Sequence, residues 1–373
     1  FAHLIPGHNK VIDKKGKAFI DDFEGATSNI DLRQYHPWSI ASTPRLFDES
    51  NDATGELTYR DNAAHMSWYT IDQLFYENGS PVSKNAISNL YTCQFKETQL
   101  FPNIDNQQSL YNNIPILNLA YYPKSRGAYN YNFAEINENG NFQNPEAKWG
   151  GMQRALPSSD FETLNVEFIE FWLMDPYAED VNSGVTRAAQ NPRLYFNLGD
   201  ISEDVLKDGR KSFEQGLPKT AEVTNVEETS WGLVSTLQAI IDAFDNDADA
   251  RQYQDIGLDG LNNNDENDHF IDKLATIINH PSMSPEIKEI FINDPSGDDF
   301  KYFRGDDVDD NAVTEDNILE RYRYFSGTEN NSPANVSGNF TASSTSFTGR
   351  CDCWSLNVSI SSDLVISVLS TIF

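Results

Sequence analysis

Cysteine is scarce in this chain. Only Cys93, Cys351 and Cys353 occur in 373 residues. Three thiols cannot make a disulfide framework, and the single residue between Cys351 and Cys353 is the wrong spacing for a CxxC zinc or redox motif. Low cysteine is ordinary both in the cytosol and among envelope proteins, so it does not fix a compartment. Basic residues are also few. The balance of 27 Lys and Arg against 57 Asp and Glu gives a formal net charge of −30. Such a surface repels a phosphate backbone, which excludes a nucleic-acid partner, and it disfavours anionic lipid. No run of about 18 apolar residues is present, so no membrane-spanning helix is expected; a barrel strand would escape that test. The chain opens on Phe1, with no signal peptide at that end, and so reads as a piece of something larger.

Other absences narrow the chemistry. The six histidines, His3, His8, His36, His65, His269 and His280, form no HExxH or HxH pattern that would suggest zinc. There is no Gly-x-Ser-x-Gly elbow, no phosphate-binding Walker loop and no Gly-x-Gly-x-x-Gly fingerprint. Nothing in the residues themselves identifies an enzyme, and a non-enzyme is expected.

What is present is enough apolar material for a core: 39% hydrophobic residues, with 12% aromatic. Residues 17–23 read as a short strand. Residues 166–174 are a stronger one, closing at Asp175-Pro176. Residues 194–198 form another, and 114–119 with 120–122 one or two more. Short aromatic strands between Asn-, Gly-, Ser- and Pro-rich connections predict a mainly β chain with some helix, built on a β-sandwich or jelly-roll-like core.

From about residue 201 the pattern changes to a mixed helical and irregular acidic half. Ser202 reads as an N-cap for a helix through Lys207, and Ser235 to Phe244 has helical apolar spacing. Residues 262–268 are too polar for a core. Residues 285–291 predict a short helix, and 316–324 a helix or extended arm. The expected organisation is therefore an aromatic-rich β domain over 1–200, an acidic helix-and-loop extension over 201–336, and an atypical tail over 337–373. The tail holds only three charges, Arg350, Asp352 and Asp363, and alternates like a strand through Leu356-Asn-Val-Ser-Ile360. It reads either as a barrel or edge strand, or as sequence not native to this place, such as translation in a shifted frame.

The sharpest chemical signal is an aspartate run. Asp245, Asp247 and Asp249 alternate, followed by Asp255, Asp259, Asn262, Asn264 and Asp265. Calcium takes six to eight hard oxygens, and close-spaced Asp and Asn can supply them. We therefore take Asp245, Asp247, Asp249, Asp255 and Asp259 as a candidate calcium loop, against a plain solvated acidic loop. Counted from Asp245 the EF-hand pattern fails, because position six is Ala250 and position twelve is Ile256. A second acidic run, Asp306-Asp-Val-Asp-Asp310, carries the same two readings. Glu167 and Glu170 are the wrong parity for a glycosidase pair, since three residues along a strand place them on opposite faces. Trp38, Trp68 and Trp149 are either sugar-stacking platforms or core.

Several long segments then resemble one family. They are Phe19-Ile-Asp-Asp-Phe-Glu-Gly25 with Asp31-Leu-Arg33 and Trp38-Ser-Ile-Ala-Ser-Thr-Pro44; Glu170-Phe-Trp-Leu-Met-Asp-Pro-Tyr177; Leu194 through Arg210 with Gly216-Leu-Pro218; Asp255 through Leu261; and Arg321-Tyr-Arg-Tyr with Asn331-Ser-Pro333. In that order they resemble the SprA, or Sov, family of gliding-motility cell-surface proteins of the type IX secretion system. The resemblance implies an internal piece of a giant outer-membrane barrel that conducts folded cargo. It also implies a PorV-type shuttle, a plug protein and secreted cargo as partners, and a location at the outer membrane or cell surface. It implies no catalytic residues. On that reading the chain is a soluble, pore-shaping or capping part. The alternative is an extracellular carbohydrate-binding β-sandwich with structural calcium.

Overall fold

The computed structural model describes residues 30–45, 47–51, 57–89, 91–100, 102, 113–156, 169–174, 193–201, 205–207, 217–222, 224–228, 232–236, 250–254, 256–309, 311–326, 354–361 and 364–372. Mainly β structure with some helix is what the chain adopts. The strands are β1 (Ile30–Asp31), β2 (Ser39–Ile40), β3 (Ala64–Tyr69), β4 (Leu117–Arg126), β5 (Trp149–Ala155), β6 (Ile169–Leu173), β7 (Arg193–Asp200), β8 (Val226–Glu228), β9 (Leu233–Ser235), β10 (Trp354–Ser361) and β11 (Leu364–Ile372). One antiparallel sheet runs β1-β11-β4-β3 with β6 also on β11; a second runs β2-β5-β10-β7; β8 and β9 form a hairpin.

The two large sheets share one core. Met66 and Trp68 of β3, Leu117, Leu119 and Tyr121 of β4 and Met152 of β5 belong to the same apolar cluster. Gly150 of β5 marks the closest approach, since a Cβ there would lie 2.7 Å from the Tyr121 ring. Every residue of β3 is nonetheless buried. The reason is a second layer on its other face: Tyr69 and Ala120 pack with Phe303, Ile318, Tyr322 and Phe325. Burial on both faces erases the apolar–polar alternation of a half-exposed strand, which is why β3 is silent in the sequence.

Tyr322 is the centre of that layer. It is fully buried, stacks on Tyr69 at 4.2 Å and on Phe303 at 4.8 Å, and its hydroxyl accepts the Asp72 N–H at 3.1 Å. Tyr322→Ala is expected to cost about 3–5 kcal/mol, because the cavity cannot close against three rings. Urea denaturation checks it; a loss under about 1 kcal/mol would mean the 300–326 segment does not hold the sheet.

The strand expectations at 166–174 and 194–198 correspond to β6 and β7, and 114–122 is one strand, β4, rather than two. The helix expected from Pro285 is present as Pro285–Asn293, capped by the Ser284 hydroxyl on Ile287 N–H. Four expectations need correction. Val205 to Lys207 is a bend, with Lys207 at φ +56°, so the expected helix does not run there. Ser235 closes strand β9, and 237–249 lie outside the described residues. Residues 263–269 form a helix, and its Glu266 is in the core despite the polarity of the segment. The tail strands are interior rather than edge: β10 pairs with both β5 and β7, and β11 with β4 on one side and β6 on the other. The 17–23 segment lies outside the described residues.

His65 of β3 faces the second layer. It is buried, with Nε2 on the Arg323 carbonyl. Burial, with the Arg323 charge adding to it, pushes its pKa down to about 4 from 6.5. Above pH 6.5 the ring is neutral in both native and unfolded chains. Between 6.5 and about 4 the unfolded chain takes up a proton that the native chain refuses, so this contribution to stability is lost as pH falls through that window. At about 1.4 kcal/mol per unit, the stability advantage of wild type over His65→Gln should shrink by roughly 3 kcal/mol from pH 7 to 4. Parallel denaturation curves at the two pH values would contradict this if the difference stayed constant.

Candidate metal centre

Below the shared core, four segments meet: the turn after β4 (127–133), the loop 256–262, the helix Asn263–His269 and the loop 294–299 that follows the Pro285–Asn293 helix. Each is shaped by its own residues. Asn262 caps the helix, its Oδ1 accepting the N–H of Asn264 at 3.0 Å and of Asp265 at 3.1 Å. The first helical turn carries Asp265 and Glu266, where the helix dipole favours acids. Asp294 folds the next loop by accepting Gly297 N–H at 2.6 Å and Asp298 N–H at 3.1 Å. Gly297, at φ +74°, lies over Arg126, whose Nη2 would be 3.2 Å from an added Cβ.

These segments bring three buried carboxylates together. Asp259, Glu266 and Asp298 are only 1–3% exposed. Each offers an oxygen, and those oxygens lie within 4.8 Å of one another. Asp294, Asp298 and Asp299 form a second such group sharing Asp298. Asp259 Oδ2 accepts from Ser296 Oγ at 2.8 Å and from the Tyr131 hydroxyl at 3.2 Å, and its Oδ1 from Leu261 N–H at 3.0 Å. Glu266 accepts Ser296 N–H at 3.0 Å. Asp298 Oδ2 is buried with no hydrogen-bond partner.

Arg126 supplies the local positive charge. Arg126 is half-buried; its guanidinium lies over Phe133 and Phe291 and donates to the carbonyls of Asn130, Pro295 and Asp294 at 3.1, 2.6 and 2.8 Å. Burial pushes all three carboxyls of the cluster above the ordinary range, and each neighbouring acid raises Glu266 and Asp298 further. For Asp259 the hydrogen bonds from Ser296, Leu261 and Tyr131 oppose that rise. Ionised, the cluster needs a cation; without one it must hold protons.

Of the sequence-predicted calcium residues, Asp259 is placed in this centre. Asp245, Asp247, Asp249 and Asp255 lie outside the described residues. Glu266, Asp298, Asp294 and Asp299 were missed. A signal for Glu266 existed: counted from Asp255 instead of Asp245, Asp259 falls at position five, Gly260 at six and Glu266 at twelve. The second acidic run is a short helix, Asp306–Asp309, whose Asp309 accepts from buried Arg321. Among the sugar-platform candidates, Trp38, Trp68 and Trp149 are 3%, 1% and 4% exposed, so they are core. The Trp38 and Trp149 indoles donate to Leu32 O at 3.1 Å and Glu49 Oε1 at 2.8 Å. Glu167 lies outside the described residues.

Comparison with known proteins agrees with the sequence resemblance. Residues 269–352 match the SprA_N family model, described as a motility related/secretion protein. The chain therefore carries a segment of motility-related and secretion proteins, and the SprA/Sov resemblance holds on that segment. No curated protein matches the chain. The matched segment begins at the C-terminus of the Asn263–His269 helix and includes the 294–299 loop and the Tyr322 layer. Among the described residues no helix is long and apolar enough to cross a membrane.

Proposed function

We propose that this chain is a non-catalytic, pore-shaping or capping part of a type IX outer-membrane translocon. The observation that carries the reading is that the matched motility and secretion segment is not an appendage. Its Phe270, Phe291 and Phe300 sit in the core that the two large sheets share, and its Phe303, Tyr322 and Phe325 cover the outer face of β3 and β4. A rigid plate of that kind suits the wall or cover of a wide aqueous pore. Its partners are then the rest of the barrel, a PorV-type shuttle, a plug protein and passing cargo, at the outer membrane or cell surface. The net charge of −30 keeps such a wall hydrated and repels nonspecific adhesion of acidic cargo.

Contact with the barrel is best served by β6. Phe171 packs on the core, its ring 5.4 Å from Phe196, whereas Trp172 on the opposite face of the strand is 51% exposed. Trp172→Glu, placed in the full-length parent, should sharply lower co-purification of the shuttle and plug. The melting temperature of the purified chain should hold within a few degrees, as for surface substitutions. Undiminished recovery of both partners would remove β6 from the contact. Recovery of neither partner with the wild-type parent would overturn the translocon reading itself.

A further inference from the structure

We propose that Asp259, Glu266 and Asp298 bind a calcium ion in an EF-hand-like loop over residues 256–266, with Asp298 of the neighbouring loop standing in for the missing third-position ligand. Three features converge on this. The first is sequence. Asp259-Gly260 followed by five residues and Glu266 reproduces the second half of the EF-hand pattern. Gly260 has the φ of +75° that a sharp sixth-position turn demands. Glu266 then sits in the helix leaving the loop, where the twelfth-position carboxylate belongs.

The second feature is the substitution at position three. The pattern wants Asp or Asn there, and this chain has Gly257. The space a side chain would fill is taken: a Cβ on Gly257 would lie 1.8 Å from Asp298 Oδ2. The carboxylate that the loop lacks is thus delivered to the same point by the 294–299 loop. The third feature is that same oxygen. Asp298 is 3% exposed, and its Oδ2 has no hydrogen-bond partner. A buried carboxylate oxygen left without a donor is costly, and a cation relieves it.

The dimensions and charges suit calcium. Ligand oxygens at 2.3–2.6 Å from a shared ion stand no more than about 5 Å apart, and these lie within 4.8 Å. Ionised, these carboxylates with the adjoining Asp294 and Asp299 outweigh the Arg126 guanidinium, and a divalent ion offsets that excess. The ligands come from loops and one helix, an arrangement flexible enough for calcium and poorly suited to the strict octahedron of magnesium.

The test uses the whole 373-residue chain, stripped with chelator and titrated with calcium chloride by calorimetry and thermal melting. The expected result is one equivalent bound and a melting temperature several degrees higher at about 100 times Kd. Asp298→Asn and Glu266→Gln keep the shape and remove a buried charge. Both should fold in the absence of calcium and bind calcium at least about tenfold more weakly, each having lost a charged ligand. Absence of heat and of any melting shift up to about 10 mM calcium, well above the weakest natural sites of this class, would overturn the proposal. So would an unchanged shift in both variants, or loss of the shift on Asp247→Asn with Asp298→Asn unaffected, which would move the ion to the upstream aspartates.

Discussion

Arg126→Met is expected to destabilise the chain by about 2–4 kcal/mol, because a half-buried guanidinium is lost from a charge network and three carbonyls lose their donor. The methionine fits between Phe133 and Phe291, where the guanidinium now lies 5.2 and 5.6 Å from the ring centres. It leaves three carbonyls, of Asn130, Pro295 and Asp294, without donors. It also removes the cation beside Glu266, Asp294 and Asp298. Each loss alone is worth a kcal/mol or more for a buried group. Arg126→Lys keeps the charge but offers no planar fork to reach three acceptors, so it should fall between wild type and methionine. Urea denaturation of the three proteins measures this. A methionine variant within about 1 kcal/mol of wild type would show that the carbonyls find other donors and that the cluster does not rely on the guanidinium.

Gly257→Ala should be comparably damaging, at about 2–5 kcal/mol. Gly257 has φ +53°, which costs an L-residue about 1–2 kcal/mol. The added methyl also meets Asp298 Oδ2 at 1.8 Å and the Tyr129 hydroxyl at 2.8 Å, and neither is free to retreat in a packed core. Tyr129 is fixed by accepting Leu258 N–H at 2.7 Å and by its own N–H on Ser296 O at 2.6 Å. The diagnostic comparison is a double-mutant cycle. Asp298→Ala removes the oxygen that the methyl strikes, so Gly257→Ala should cost less in that background. Strict additivity would mean that the clash is relieved by backbone movement and that position 257 does not report on Asp298.

The fold was legible wherever one physical period governed a segment. Strands β6 and β7 follow their β-branched and aromatic runs, and the Pro285–Asn293 helix follows a Ser cap with proline in the first turn. Strand β3 was not legible, because layers on both sides bury it whole. Its sequence, Ala-His-Met-Ser-Trp-Tyr, puts polar residues on a buried face whose partners come from about 260 positions away, as the His65 contact with Arg323 shows. The candidate site was half legible. Asp259 stood out by composition, and Glu266 was available from the right counting frame. Asp298 was not available at all, since its place beside Gly257 depends on how the 294–299 loop folds over Arg126. Polarity misled at 262–268 for a related reason: a helix with an acidic first turn can bury one of its acids when another loop supplies the donor, here Ser296 N–H to Glu266.

The proposed role of this chain in a protein-conducting channel is tested by cargo export. The measurement is surface delivery of a reporter fused to a secreted cargo protein, in cells whose only parent protein bears Arg126→Met in this region. The barrel should still be inserted while the reporter accumulates inside the outer membrane. Wild-type delivery of the reporter, with the region shown to be unfolded by proteolysis, would contradict that role.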